Sequence, residues 1–154
     1  SDKELPNTNF EITISEVTEL DDLIKETSGL IYFNDHLITH NDSGDKPNLY
    51  EVNPTNGQVI RTVFIANANN KDMEDIAQDE TYIYLCDIGN NTNTRKDQTI
   101  YKIKKTDYLA KNIVEAELIT FNYAEQTDFT YSNMTTNFDA EAVICISNQK
   151  LSSM

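Results

Sequence analysis

Residues 72–91, DMEDIAQDETYIYLCDIGNN, contain the pattern that decides the fold. An acidic entrance, Asp72-Met73-Glu74-Asp75, leads into two short apolar runs that are separated by Asp79-Glu80-Thr81 and followed by a polar loop. Short runs rich in Ile, Tyr and Leu between turn residues are typical of an antiparallel β-hairpin. The stretch therefore predicts one repeating hairpin unit with carboxylates at its entrance.

The same pattern occurs 46 residues earlier, in residues 26–45, ETSGLIYFNDHLITHNDSGD. With this offset Leu30 aligns with Ile76, and the polar loops that close the two units also align. A third acidic entrance, Asp139-Ala140-Glu141, begins 67 residues after the second. Repeats of this length are typical of stacked or radial architectures, including the blades of β-propellers.

Further strand signals complete two four-stranded units. Strands are predicted at residues 10–14, 30–32, 36–40, 49–52, 59–65, 76–78, 82–86, 99–103 and 116–123. Asn34-Asp35 and the run from Asn53 to Gly57 are hairpin turn signals. Residues 107–115 are interpreted as either a short helix or a long loop.

The fold class that follows is all-β, a partial β-propeller of about two and a half four-stranded antiparallel blades. Residues 1–23 form an N-terminal segment with the outer strand of a preceding blade, residues 24–67 and 68–125 form two blades, and residues 126–154 form an incomplete third. A propeller normally needs at least four blades, so the chain is interpreted as a fragment of a larger ring or as a gene product cut short. A single sandwich or barrel of about ten strands is the alternative.

Composition excludes several classes of partner. The chain has 154 residues, 38% of them hydrophobic, with a formal net charge of −14 and a pI near 4.3. A nucleic-acid-binding protein needs a basic face, and an acidic protein is repelled by anionic membrane surfaces. No apolar run approaches the roughly 18 residues of a membrane span. Cations and neutral ligands remain as the classes of partner that this composition allows.

Two cysteines, Cys86 and Cys145, both lie in apolar, strand-like runs. Buried free thiols are the favoured interpretation, and a disulfide between them is the alternative.

Five stretches carry a resemblance to a known family. They are residues 26–32 (ETSGLIY), 40–54 (HNDSGDKPNLYEVNP), 72–91, 99–105 (TIYKIKK) and 137–144 (NFDAEAVI). Together they resemble a family of uncharacterised secreted β-propeller proteins of Bacteroidetes-type bacteria, over about residues 20–146. The resemblance implies a propeller and a secreted or cell-surface location, and it implies no particular reaction. Residues 146–154 depart from the family pattern.

The repeat aligns two sets of polar positions. Glu26, Asp72 and Asp139 form one set, and Ser28, Glu74 and Glu141 form the other, two residues further on. Side chains two apart lie on the same side of a strand, so these groups are expected to converge at a channel mouth.

Neighbouring loops add further oxygen ligands to this cluster. The full set of predicted metal ligands is Glu26, Asn41, Asp72, Glu74, Asp75, Asp87, Asp139 and Glu141. Oxygen-rich clusters favour hard cations, and Ca²⁺ is preferred here to Mg²⁺. The competing interpretation is that these side chains cap strands, bind turn backbone or face water.

Two functions follow as hypotheses. The first is a secreted or surface-exposed binding module with a cation site, whose ligand (a small molecule, a glycan or a protein) the sequence does not identify. The alternative is a metal-dependent hydrolase of phosphoesters or lactones, in which the cation polarises the substrate and activates water. His40 is its candidate general base, although a plain polar residue at a strand end is the favoured interpretation.

Overall fold

The computed structural model of the protein describes residues 13–133 and 136–146. In chain order the elements are β1 (Leu30–Phe33), β2 (His36–Thr39), β3 (Asn48–Val52), β4 (Val59–Ile65), β5 (Met73–Gln78), β6 (Tyr82–Asp87), β7 (Gln98–Lys104), α1 (Lys105–Ala110), β8 (Ile113–Val114) and β9 (Glu117–Phe121). The described chain is therefore all-β apart from one short helix, as the alternating apolar pattern predicted.

The strands form two sheets, with orders β1-β2-β3-β4-β8 and β5-β6-β7-β9. All neighbouring strands are antiparallel except β4 and β8, which are parallel. The two predicted four-stranded sets are present, but the first sheet gains a fifth strand. The fifth strand, β8, comes from residues 107–115. After helix α1, which begins at Lys105, the chain returns to the first sheet, where the Phe64 N–H donates to the Asn112 carbonyl (2.9 Å).

The predicted third unit has no strand within residues 126–133 and 136–146, the part of it that the structure describes. Most of the predicted strand at residues 10–14 lies outside the described residues, and Thr13 and Ile14 belong to no strand. Residues 147–154 also lie outside the described residues.

The hairpin between β1 and β2 has the turn that its residues predicted. Asn34 and Asp35 have φ of 54° and 62°, so both central residues are left-handed. This geometry matches the twist of the flanking strands, and Asn and Asp tolerate it better than other residues that have a Cβ. The turn fixes Phe33 opposite His36 and thereby sets the register of the whole hairpin.

The 46-residue repeat is present in the strand pairing. Leu30 pairs with Thr39 in the first sheet, and their equivalents, Ile76 and Leu85, pair in the second. The first two strands of each sheet therefore pair in the same register.

The first strands of the two sheets lie side by side. The Ser28 hydroxyl donates to the Met73 carbonyl (2.9 Å), and the Gln78 side-chain amide donates to the Tyr32 carbonyl (2.8 Å). The acidic entrances of β1 and β5 consequently lie at the same end of the molecule.

One hydrophobic core lies between the sheets, with helix α1 and β8 closing its side. Its buried members are Ile31, Ile38, Leu49, Val63, Ile65, Met73, Ile76, Ile83, Leu85, Tyr101, Ile103, Tyr108, Val114 and Ala116. A smaller cluster joins Ile24 to Tyr50 and Val52 on the opposite face of the first sheet.

Cys86 is buried and Cys145 is exposed, and both are free thiols. The prediction of two buried thiols was therefore wrong for Cys145, because residues 141–146 lie at the surface rather than within a sheet. Within the described residues, no helix has the length and apolar character needed to cross a membrane.

Candidate metal centre

Three carboxylates converge beside the entrance to β5. Asp42 follows β2, Asp72 immediately precedes β5, and Glu74 lies within β5. One oxygen of each lies within 4.8 Å of the other two. Ca²⁺–oxygen bonds are about 2.3–2.6 Å long, so a single ion can bridge oxygens at this spacing.

Asp87 holds the backbone that presents Asp72. Its carboxylate accepts hydrogen bonds from the N–H groups of Asp72 (3.0 Å) and Lys71 (3.4 Å). Arg95 donates to the same carboxylate at 2.6 Å, and the side chains of Asp87 and Arg95 are 2% and 12% exposed. Because the Arg95 guanidinium neutralises it, Asp87 supports the cluster rather than adding an unpaired charge.

Gly89 provides the space for two of the three carboxylates. A Cβ built on Gly89 would overlap the carboxylate oxygens of Asp72 and Glu74. The Gly89 N–H also donates to the Asp72 carbonyl (3.3 Å). The β6–β7 loop therefore packs its bare backbone against the cluster, and a residue with a side chain cannot take this position without moving the acids.

The acids raise one another's pKa values. Burial is the main reason that the pKa of Asp72 rises to about 6, and the neighbouring Asp42 carboxylate adds to the effect. Burial also leads the causes that raise the pKa of Glu74 to about 8, followed by its hydrogen bond with Glu141 and the charge of Asp72. Like charges this close are stable only with a proton or a cation between them.

One oxygen of the cluster lacks a hydrogen-bond donor. Asp42 Oδ1 is buried and accepts no hydrogen bond from any residue that the structure describes. The Asp42 backbone, in contrast, is fixed by a hydrogen bond that its N–H donates to the Glu26 carbonyl (2.8 Å). Buried polar atoms are normally paired, so this orphaned oxygen fits an unseen partner such as a metal ion.

Of the eight predicted ligands, the structure brings Asp72 and Glu74 into the cluster, with Glu141 hydrogen-bonded to Glu74. Asp42 belongs to the cluster but was not predicted. The repeat predicted Asn41 as the ligand from this loop, whereas the structure places the carboxylate of Asp42, one residue later, in the cluster. Its signal in the sequence is the acidic loop Asp42-Ser43-Gly44-Asp45 that directly follows a strand.

The other predicted ligands have structural partners or lie apart. Asp75 accepts from the N–H groups of Ile76 and Val143, both at 2.8 Å. Asp139 accepts from the Asn90 N–H at 2.5 Å.

Asn41 joins loop backbone to Asp45: its amide donates to the Leu23 carbonyl (2.9 Å) and to the Asp45 carboxylate (2.8 Å). Glu26 is exposed, and its backbone carbonyl accepts the hydrogen bond from the Asp42 N–H. For these residues and for Asp87 the competing interpretation, that the side chains bind backbone or face water, agrees better with the geometry.

His40 is enclosed rather than presented to solvent. The residue is 1% exposed, and its Nδ1 lies 3.2 Å from the Asn41 carbonyl oxygen. Burial is the main cause that lowers its pKa, so the ring is neutral at pH 7. General-base catalysis needs contact with a bound substrate or water, and this ring is closed off from both.

Comparison of the chain with protein-family models, with curated proteins and with solved structures gives no match. The resemblance to the secreted propeller family stays a prediction.

Proposed function

We propose that the protein is a binding module whose loops are held by a hard divalent cation at Asp42, Asp72 and Glu74. The convergence of the three carboxylates carries the proposal, because Arg95, whose positive charge acts on Asp72, is itself paired with Asp87. The orphaned oxygen of Asp42 and the bare backbone at Gly89 support it.

The proposed ion is Ca²⁺. Three carboxylates form a hard, all-oxygen donor set, and Ca²⁺ accepts irregular geometry, whereas Mg²⁺ demands a near-ideal octahedron with bonds of about 2.0–2.1 Å. Three acids leave several coordination positions for water or for a ligand. Small molecules, glycans and proteins are the candidate ligands.

We further propose that the two sheets are neighbouring blades of a propeller-type ring. Their shared register and the adjacent positions of β1 and β5 support this arrangement. The cation then joins the β2–β3 loop of one sheet to the entrance of the next. A secreted or cell-surface location fits such a site, because extracellular Ca²⁺-binding modules work with dissociation constants of roughly 10⁻⁴–10⁻³ M.

The hydrolase alternative gains no support from His40. A metal-activated water needs a nearby acceptor for its proton, and a ring that is 1% exposed does not offer one at the surface.

The deciding experiment is a thermal melt in EDTA, followed by melts with added Ca²⁺ and with added Mg²⁺. At a hundred times its dissociation constant, a bound ion stabilises the folded state by about 2.7 kcal/mol, which raises the Tm by several degrees. We expect this upshift with Ca²⁺ and a smaller one with Mg²⁺. Folded protein with no upshift from either ion would exclude the site.

Three variants locate the ion. Asp42→Asn and Glu74→Gln should each abolish the Ca²⁺-dependent upshift, because each removes a charged ligand. Gly89→Ala should reduce Ca²⁺ affinity at least tenfold, because its methyl group displaces the carboxylates of Asp72 and Glu74 although all three acids are still present. Glu80→Gln, which changes the same charge in an exposed turn, should keep the full upshift.

A further inference from the structure

The two sheets pack through opposite faces. The back face of the first sheet, defined by Ile31, Ile38, Leu49 and Val63, lies on the front face of the second sheet, defined by Ile76, Ile83, Leu85 and Ile103. Successive residues of a strand point to opposite faces, so each sheet also has a second face that this contact leaves uncovered.

The front face of the first sheet is the repeat equivalent of a buried surface. Leu37 pairs with Val52 in the first sheet as Ile83 pairs with Ile103 in the second. Ile76, Ile83 and Ile103 are at most 4% exposed because the first sheet covers them.

The corresponding face of the first sheet is open at β1 and β2. Leu30 and Tyr32 are each 58% exposed, and an apolar groove of about 320 Å³ lies between Leu20, Leu30, Leu37 and Val52. This face has the apolar side chains of a buried surface, and the described part of the chain leaves it uncovered at β1 and β2.

The other half of this front face already has a cover. Residues 18–24 cross it at β3 and β4, where Ile24 packs on Tyr50 and Val52. The Asp21 N–H donates to the Gly57 carbonyl (3.0 Å) and anchors the crossing. A complementary partner therefore needs to supply only one strand-like segment, over β1 and β2.

Residues 141–146 of the same chain have the matching surface. The Val143 N–H donates to the Asp75 carboxylate (2.8 Å), which holds the segment beside β5. By the two repeat offsets, Ile144 and Ile146 correspond to Ile31 and Phe33, which pack between the sheets. Ile144 and Ile146 are 80% and 82% exposed.

We propose that a second copy of this chain covers the groove, with its residues 141–146 lying on β1 and β2 of the first copy. The exposed Ile144 and Ile146 of one copy then meet Leu30 and Tyr32 of the other, as Ile31 and Phe33 meet the second sheet within each chain. Two copies joined head to tail twice give each groove a segment 141–146 from the other copy, so the assembly closes as a dimer.

Sedimentation velocity over a concentration series tests the proposal. The expected result is a species of twice the 17.6 kDa chain mass at about 100 µM, where a micromolar complex is saturated, with dissociation on dilution. Copies of net charge −14 repel each other, so about 0.5 M NaCl should strengthen the association. A 17.6 kDa species at every concentration and salt level would overturn the proposal.

Exposed positions supply variants that keep the monomer folded. Leu30→Asp and Ile144→Asp should each weaken association at least tenfold. Tyr32→Asp and Ile146→Asp are second choices if either variant fails to fold by circular dichroism. Leu109→Asp, on an exposed position of α1, is the matched control and should leave the association unchanged.

Mixing the variants distinguishes head-to-tail docking from face-to-face docking. Leu30→Asp and Ile144→Asp copies retain complementary surfaces, so an equimolar mixture should form a mixed dimer that neither variant forms alone. If Ile144→Asp alone dimerises like the unmodified chain, two copies of the groove pack on each other and the proposal fails. Dimerisation of Leu30→Asp at unchanged strength would equally overturn it.

Discussion

Glu74 keeps a proton that an exposed glutamate releases well below neutral pH. The residue is 8% exposed, and burial, the Glu141 hydrogen bond and the Asp72 charge together raise its pKa to about 8. A proton and a cation are alternative ways to neutralise this position, so metal binding at Glu74 has to release the proton. Without a bound cation, the stability of the protein should therefore depend on pH.

We expect the metal-free protein to lose stability as the pH rises from about 7 to about 9. Above its unfolded pKa the Glu74 carboxyl binds its proton in the folded state only, so the slope of unfolding free energy with pH is negative until the folded pKa is passed. The raised pKa of Asp72, about 6, gives a slope of unfolding free energy of the same sign at lower pH. The lowered pKa of His40 acts below neutrality and does not contribute in this range.

Urea denaturation in EDTA at the two pH values measures the effect. Glu74→Gln cannot titrate and should lose most of the pH slope, becoming more stable than the unmodified protein at the higher pH. Glu80→Gln should retain the slope, which separates Glu74 from the α-amino group and the thiols that titrate nearby. Equal slopes in both variants would show that another group is responsible.

At the scale of elements, α1 depends on what Tyr108 contacts. The helix has six residues, too few to be stable alone. The Tyr108 ring is fully buried, its hydroxyl donates to Glu51 Oε2 (2.8 Å), and the Arg61 guanidinium lies 4.4 Å from the ring centre. Arg61 also donates to the Tyr108 carbonyl (2.8 Å), so one side chain fixes the crossing from the second sheet back to the first.

Tyr108→Ala should therefore destabilise the protein by about 3–5 kcal/mol, the usual cost of emptying a buried aromatic site. Tyr108→Phe keeps the ring and should cost only about 1 kcal/mol, since Glu51 retains its ion pair with Arg61. Urea denaturation measures both, and amide hydrogen exchange at Ile113–Val114 should accelerate in Tyr108→Ala. Equal costs for the two variants would mean that the hydroxyl, not the ring, holds the helix.

The sequence predicts those elements that have their own periodicity. The Asn34-Asp35 turn and the 46-residue repeat predicted the hairpins and their common register, because turn residues and alternation are local signals. Strand β8 was missed because two residues cannot show a period, and only its position beside β4 makes it a strand.

The same limit applies to the site. Asp72 and Glu74 were predicted because they belong to the repeated strand entrance. Asp42 was not, because its inward direction depends on the path of the loop after β2 and on contact with a sheet that begins about thirty residues later. Arg95 was also missed, since its pairing with Asp87 is a tertiary contact without a sequence signature.

At the scale of the whole molecule, the two sheets share a single core. Leu49 of the first sheet and Leu85 of the second belong to the same buried cluster, together with Tyr108 from the helix. Neither sheet has a second core large enough to replace this one, within the described residues, because the only other cluster is the small group around Ile24. The sheets should therefore unfold together.

This cooperativity can be tested with matched substitutions in the two sheets. Leu49→Ala and Leu85→Ala each empty a fully buried site and should cost about 2–5 kcal/mol. Because the core is shared, each should lower the protection of amide hydrogens in both sheets by a similar factor, as measured by hydrogen exchange with mass spectrometry. Leu109→Ala, exposed on α1, is the control and should change stability by less than about 0.5 kcal/mol. If Leu49→Ala weakens protection in β1 to β4 alone, the sheets are separate folding units, and the repeat has stacked two independent modules rather than built one domain.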